Sequence, residues 1–115
     1  MIVCWRTVAI PPHERARYLA WIAAGRPVRE AHGILGELVL EPITGAGAGD
    51  TVVVTIWPSH DVFDAWIATP ERDALTASDV HRSVDYRPIT RYDLVGGYTN
   101  LPGLLALANA QEDRP

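Results

Sequence analysis

The stretch from Ile34 to Trp57 constrains the fold more than any other. Ile34–Glu41 is an apolar run closed by Pro42. Thr51–Trp57 (TVVVTIW) is a second run, rich in β-branched residues. After Ile43 the two are joined by Thr44–Asp50 (TGAGAGD), a glycine-rich turn. Two adjacent strands with such a connection predict a β-hairpin. TGAGAGD superficially resembles a phosphate-binding loop, but it lies between strands and precedes no helix, so the context such a loop requires is missing.

The flanks of the hairpin complete the layout. Ile2–Ile10 predicts a strand with Ile2, Cys4, Val8 and Ile10 on one face and Val3, Trp5, Thr7 and Ala9 on the other; Pro11-Pro12 ends it. Glu14–Ala24 predicts a helix whose stripe is Tyr18, Trp21, Ile22 and Gly25, with Leu19 beside it. Gly25 and Pro27 are expected to interrupt it, a short helical piece resuming to His32 with Gly33 as its stop. Beyond the hairpin, Ser59 reads as an N-cap with Asp61 in the first turn, and Val62, Phe63, Trp66 and Ile67 form the apolar helix face. Thr69-Pro70-Glu71 restarts a helix running to about His81. Ile89–Tyr98 predicts the last strand, with a bulge at Gly96-Gly97.

The order is strand, helix, strand, strand, helix, strand. It predicts an α+β, ferredoxin-like split β-α-β fold: a four-stranded antiparallel sheet with two helices on one face. Residues 1–98 form the domain and 99–115 a C-terminal tail. The other sheet face has no helix to cover it. Strand parity assigns Trp5, Val53 and Trp57 to that face, which predicts a partner subunit.

Composition removes whole classes of function. All 10 basic residues are arginine, so a phosphate-loop lysine, a Schiff-base lysine and a lysine general base are excluded. A formal charge of −4 with scattered arginines gives no footprint for nucleic acid and no polybasic membrane patch. No apolar run is long enough to span a membrane, and no secretion signal is visible, so a cytoplasmic protein is expected. The single cysteine, Cys4, forms no intramolecular disulfide and no cysteine metal site. The 4 histidines, at 13, 32, 60 and 81, have no spacing that pairs them on one helix face, so no metal is expected.

Three stretches carry a resemblance. VVVTIWPSHDVFDAW (52–66), with its apolar strand, Trp-x-Ser, acidic residue, Phe and Trp, resembles the third strand and second helix of the antibiotic biosynthesis monooxygenase superfamily. GILGELVLEP (33–42) resembles that superfamily's second strand and ITRYDLVGGY (89–98) its last. The resemblance covers residues 2 to 98 in order. It implies a homodimer in which two sheets form an α/β barrel, with a pocket between the sheet and the helices. It also implies oxidation of phenols, anthrones or quinols by dioxygen without metal or flavin. One branch of the superfamily instead degrades haem with a first-strand Asn, a second-helix Trp and a ligating His. Here those positions fall on Arg6, on Trp66, and on Leu75 or Thr76.

Arg6 is the informative residue of the first strand. Parity turns it toward the helices, and burying a guanidinium costs several kcal/mol unless it meets an anion. It is read either as a structural pair with Asp93 or Glu37 or as a cavity arginine that stabilises an oxyanion. Trp66 is read as core or as a stacking surface for an aromatic substrate. His81 is the expected base, since its ordinary pKa lies near neutrality. The candidate catalytic set is therefore Arg6, Trp66 and His81, with Trp66, Phe63, Tyr92 and Tyr98 lining a substrate pocket. The partners expected are a second copy of the chain, a small aromatic substrate and dioxygen, with no cofactor. A non-catalytic ligand-binding dimer, a cofactor-free cyclase or isomerase, and a haem-binding or haem-degrading protein are the alternatives.

Overall fold

A computed structural model describes residues 1–43, 50–103, 106 and 110. Residues 44–49 of the expected glycine turn and most of the tail fall outside them, and Asp50 is already the first residue of a strand. In chain order the elements are β1 (Ile2–Ala9), α1 (Arg15–Ala31), β2 (Gly36–Leu40), β3 (Asp50–Trp57), α2 (His60–Ile67), α3 (Pro70–Thr76), α4 (Asp79–Arg82), β4 (Asp85–Tyr86) and β5 (Thr90–Asp93). The sheet runs β2-β3-β1-β4 with β5 also paired to β1, and every pairing is antiparallel. This is the ferredoxin-like α+β order, with helices packed on one sheet face.

The last strand differs from expectation. It comes in two pieces on the same edge of β1, interrupted at Pro88, which has no N–H to give to the ladder. Arg87 keeps the register by donating its N–H to the Thr7 carbonyl at 3.0 Å. Gly96 and Gly97 lie beyond the pairing, so they form no bulge; Gly97 stands at φ +143°, a conformation other residues rarely adopt.

Helix α1 is also longer than expected and continues straight through Gly25 and Pro27. Proline removes one helical hydrogen bond. The carbonyl that loses its partner is that of Ala23; Arg29 Nη2 donates one residue earlier, to the Ile22 carbonyl. The same guanidinium explains Gly25. A Cβ there would come within 2.6 Å of Arg29 Nη1, so only glycine leaves it room. Arg29 Nε sits 2.7 Å from Glu37 Oε2, and Arg26 Nη2 reaches Glu37 Oε1 at 3.1 Å. Glu37 thereby ties α1 to β2 from a buried position.

Register corrects the assignment of faces. Ile2 pairs with Trp57, Cys4 with Thr55 and Arg6 with Val53, so Val53 and Trp57 face the helices, not the open side. Trp57 is almost fully buried, at 1% exposure. Trp5 does lie on the open face, beside Val54 and near Leu38, Val52 and Ile56. The core falls into two clusters on the helix side. Ile2, Cys4, Trp57, Phe63 and Trp66 form one; Val8, Tyr18, Ile22 and Val84 form the other.

Glu37→Gln leaves a buried guanidinium without its counter-charge. It is expected to destabilise the fold by about 3 kcal/mol, read from urea unfolding midpoints.

Candidate active site

Between the two core clusters lies a cavity of about 140 Å³, walled by the sheet below and by helices α1 to α4 above. A single water needs roughly 10–15 Å³ on this measure, so the space suits a small organic molecule. One end is aromatic. Trp57 and Trp66 stack with ring centroids 6.2 Å apart, and Phe63 tilts against Trp57 at 5.3 Å. The other end holds Tyr18, Trp21, His81 and Tyr86 as a contiguous set of rings. Tyr18 stacks on Trp21 at 5.6 Å, and His81 stacks on Tyr86 at 4.4 Å. Trp21 is fixed by donating Nε1–H to the Leu75 carbonyl at 3.1 Å.

His81 reaches this set because the expected helix to residue 81 is broken. Helix α3 starts as predicted, with Thr69 Oγ1 accepting from the Arg72 N–H at 3.2 Å, but it ends at Thr76. Ser78 then caps the short α4 by accepting from the His81 N–H. The new helix start changes the phase at residue 81. Its imidazole thereby comes to lie against Trp21, at 5.3 Å, and against Tyr86.

Arg6 faces the cavity from the middle of β1. Neither Glu37 nor Asp93 pairs with it: Glu37 is engaged by Arg26 and Arg29, and Asp93 lies 3.1 Å from His60. Arg6 Nε instead donates to the Arg87 carbonyl at 2.9 Å, and the guanidinium sits 5.1 Å from the Tyr86 ring centroid. Among the described residues no carboxylate pairs with Arg6. Arg72, at the start of α3, also lines the cavity and also has no carboxylate partner among the described residues.

The electrostatics follow. Burial, then the charges of Arg72 and Arg6, hold the His81 imidazolium below its usual pKa of 6.5. Near neutrality His81 is an uncharged base. Burial raises both the Tyr18 and Tyr86 phenols, which therefore stay protonated. The Tyr86 hydroxyl oxygen is buried and makes no well-aligned hydrogen bond. Burial likewise raises Cys4, so its sulfur is a thiol rather than a thiolate.

The structure thus brings together Arg6, Trp66, His81 and Phe63 around one cavity. Two expected lining residues are elsewhere. Tyr92 pairs with Val3 and points to the open sheet face, and Tyr98 is 90% exposed beyond the last strand. The main residues missed are Arg72 and Tyr86. Arg72 shares a helix side with Leu75 and Thr76, at spacings of three and four, which was a usable signal. Tyr86 lies between the expected helix end and strand start, where periodicity says nothing.

The architecture is the ferredoxin-like antiparallel fold also seen in solved structures of antibiotic biosynthesis monooxygenases. A structure described as an antibiotic biosynthesis monooxygenase matches with TM-score 0.64 and 17% identity, over 84% of this chain and 100% of that one. The haem-degrader MhuD from Mycobacterium tuberculosis, solved with two haems in its active site, matches with TM-score 0.67 and 21% identity over 86% and 100%. SnoaB, a cofactor-independent oxygenase from Streptomyces nogalater, matches with TM-score 0.62 and 16% identity over 84% and 92%. At these identities the likeness is one of fold. No protein-family model and no curated protein sequence matches the chain. Among the described residues no helix is long and apolar enough to cross a membrane.

Arg72→Gln removes a positive neighbour and so favours the protonated imidazole. The His81 pKa is expected to lie below 6.5 in the native protein and to rise in this variant, read from the imidazole resonances in an NMR pH titration.

Proposed function

We propose that this chain is a cofactor-independent monooxygenase that oxidises a phenol-, anthrone- or quinol-type aromatic substrate with dioxygen, in secondary metabolism. The observation that carries the reading is an uncharged imidazole and an unpaired guanidinium meeting at one aromatic-walled cavity. Similarity of fold to SnoaB supports it.

The chemistry follows from the side chains. Ground-state dioxygen is a triplet and reacts slowly with closed-shell organic molecules. A substrate turned into an electron-rich anion donates an electron to it directly. His81 takes the substrate's proton, acting as a general base whose lowered pKa leaves it ready near neutrality. Arg6 stabilises the oxyanion that proton loss creates. Trp66 and Phe63 hold the ring and exclude water. For an anthrone, the reacting CH₂ loses both hydrogens and gains one oxygen as a carbonyl. The second oxygen atom leaves as water, so no external reductant is consumed.

The working unit is a homodimer. The sheet face opposite the cavity presents Trp5, Leu40 and Tyr92, at 39%, 42% and 54% exposure, beside Val3 and Ile56. An apolar face of this kind needs a cover, and a second copy supplies one of matching shape and chemistry. Trp5→Glu is expected to yield a monomer by light scattering.

A second reading, haem binding, is favoured by one observation: His81 reaches the same cavity as Trp66 although its place in the sequence does not match the ligand position. An uncharged His81 would hold the iron, and the two arginines would face the porphyrin carboxylates. Bound haem would supply redox-active iron.

Oxygen uptake by metal-free protein decides between these. With anthrones, naphthols and dihydroxynaphthalenes, uptake above autoxidation is expected, falling by about 10²-fold or more in His81→Gln and in Arg6→Leu with the fold retained. Its acid limb should lie below the ordinary imidazole pKa, because protonating His81 removes the base. No uptake across the panel, together with a hemin Soret shift that is lost in His81→Ala, would overturn this reading in favour of haem.

A further inference from the structure

The charge on the cavity wall is unbalanced. Its charged lining residues are Arg6, Arg29, Arg72 and Glu37, and Glu37 is already shared between Arg29 and Arg26. Two guanidiniums, Arg6 and Arg72, are left over, in a chain whose formal net charge is −4. His81, which faces both, does not compensate them, being uncharged near neutrality. Arg6 is partly withdrawn from water; a cation so placed without a counter-charge is costly, and a bound anion recovers that cost.

The donors are also unspent in a particular way. Arg6 uses Nε on the Arg87 carbonyl and makes no other hydrogen bond among the described residues, leaving its terminal N–H groups for the cavity. The Arg72 side chain makes none among the described residues; the Tyr86 hydroxyl is buried against the Tyr18 hydroxyl. The positive edge of the cavity is thus a pair of planar guanidinium forks, geometry suited to a two-oxygen anion. A phenolate formed during turnover needs one such partner. A second permanent cation calls for a charge that the substrate carries on arrival.

We propose that the ligand of this cavity is an aromatic carboxylic acid: a fused-ring hydroxyarene whose carboxylate is held by Arg72 together with Arg6, its rings lying toward Trp57 and Trp66. The inference rests on the reading of this cavity as the substrate site. It adds that recognition depends on a fixed negative charge. The substrate enters as a monoanion; when its hydroxyl proton passes to His81 it becomes a dianion facing the imidazolium and the two guanidiniums.

The test is anaerobic calorimetry on the metal-free protein, comparing 1-hydroxy-2-naphthoate with the near-isosteric 1-hydroxy-2-naphthamide. The acid is expected to bind at least about tenfold tighter. That preference should shrink at raised ionic strength. It should be lost in Arg72→Gln and partly restored in Arg72→Lys, which returns the charge but not the fork. Circular dichroism establishes that each variant is folded. Equal binding of acid and amide, or a preference that survives in Arg72→Gln, would overturn the proposal. Oxygen uptake is scored separately. Acid-selective binding without uptake supports this inference and overturns the oxygenase reading, whereas uptake without selectivity does the reverse.

Discussion

One carboxylate sets the electrical character of this molecule. Glu37, on the helix-facing side of β2, is held by both Arg26 and Arg29 of α1. That engagement lets an arginine sit at 8% exposure in the last turn of a helix, and it binds the helix to the sheet. Glu37 is also, among the described residues, the one acidic residue on the cavity wall. Because it is used for architecture, nothing remains to neutralise Arg6, which strand parity turns inward from β1. The charge the fold cannot satisfy is thus displaced to the place where a ligand can satisfy it.

A break in a helix matters as much. Had the segment after Pro70 continued as one helix, residue 81 would have followed a different phase. Ser78 restarts the helix with its own cap, and the imidazole comes to rest on Tyr86. Counting along the chain as one uninterrupted helix therefore gives no sign that residue 81 reaches this cavity.

Much of the fold was legible because its signals are local. The hairpin strands, the Ser59 and Thr69 caps and the apolar face of α2 are each written in a few consecutive residues. Arg6 and Trp66 were also readable as cavity candidates, one from parity and one from helix spacing. What failed depends on distant partners. TVVVTIW is apolar on both faces, so alternation alone does not say which side is inward. Pairing with Ile2 puts Trp57 inside, and that register is a long-range fact. Gly25 looked like a stop because its reason lies in Arg29, whose guanidinium folds back on the same helix and occupies the space a side chain would take. The split of the last strand at Pro88 moved Tyr92 and Tyr98 off the cavity, and it placed Tyr86 on it.

The position of Cys4 bears on durability. Its sulfur lies beside the cavity, free of any disulfide, with burial holding it as the thiol. Oxidation of cysteine by peroxide proceeds through the thiolate and needs access. Wherever reduced oxygen species escape from a reaction in this cavity, the sulfur nearest to them is in its least reactive form. A sulfur held as the thiol is correspondingly slow to form sulfenic acid.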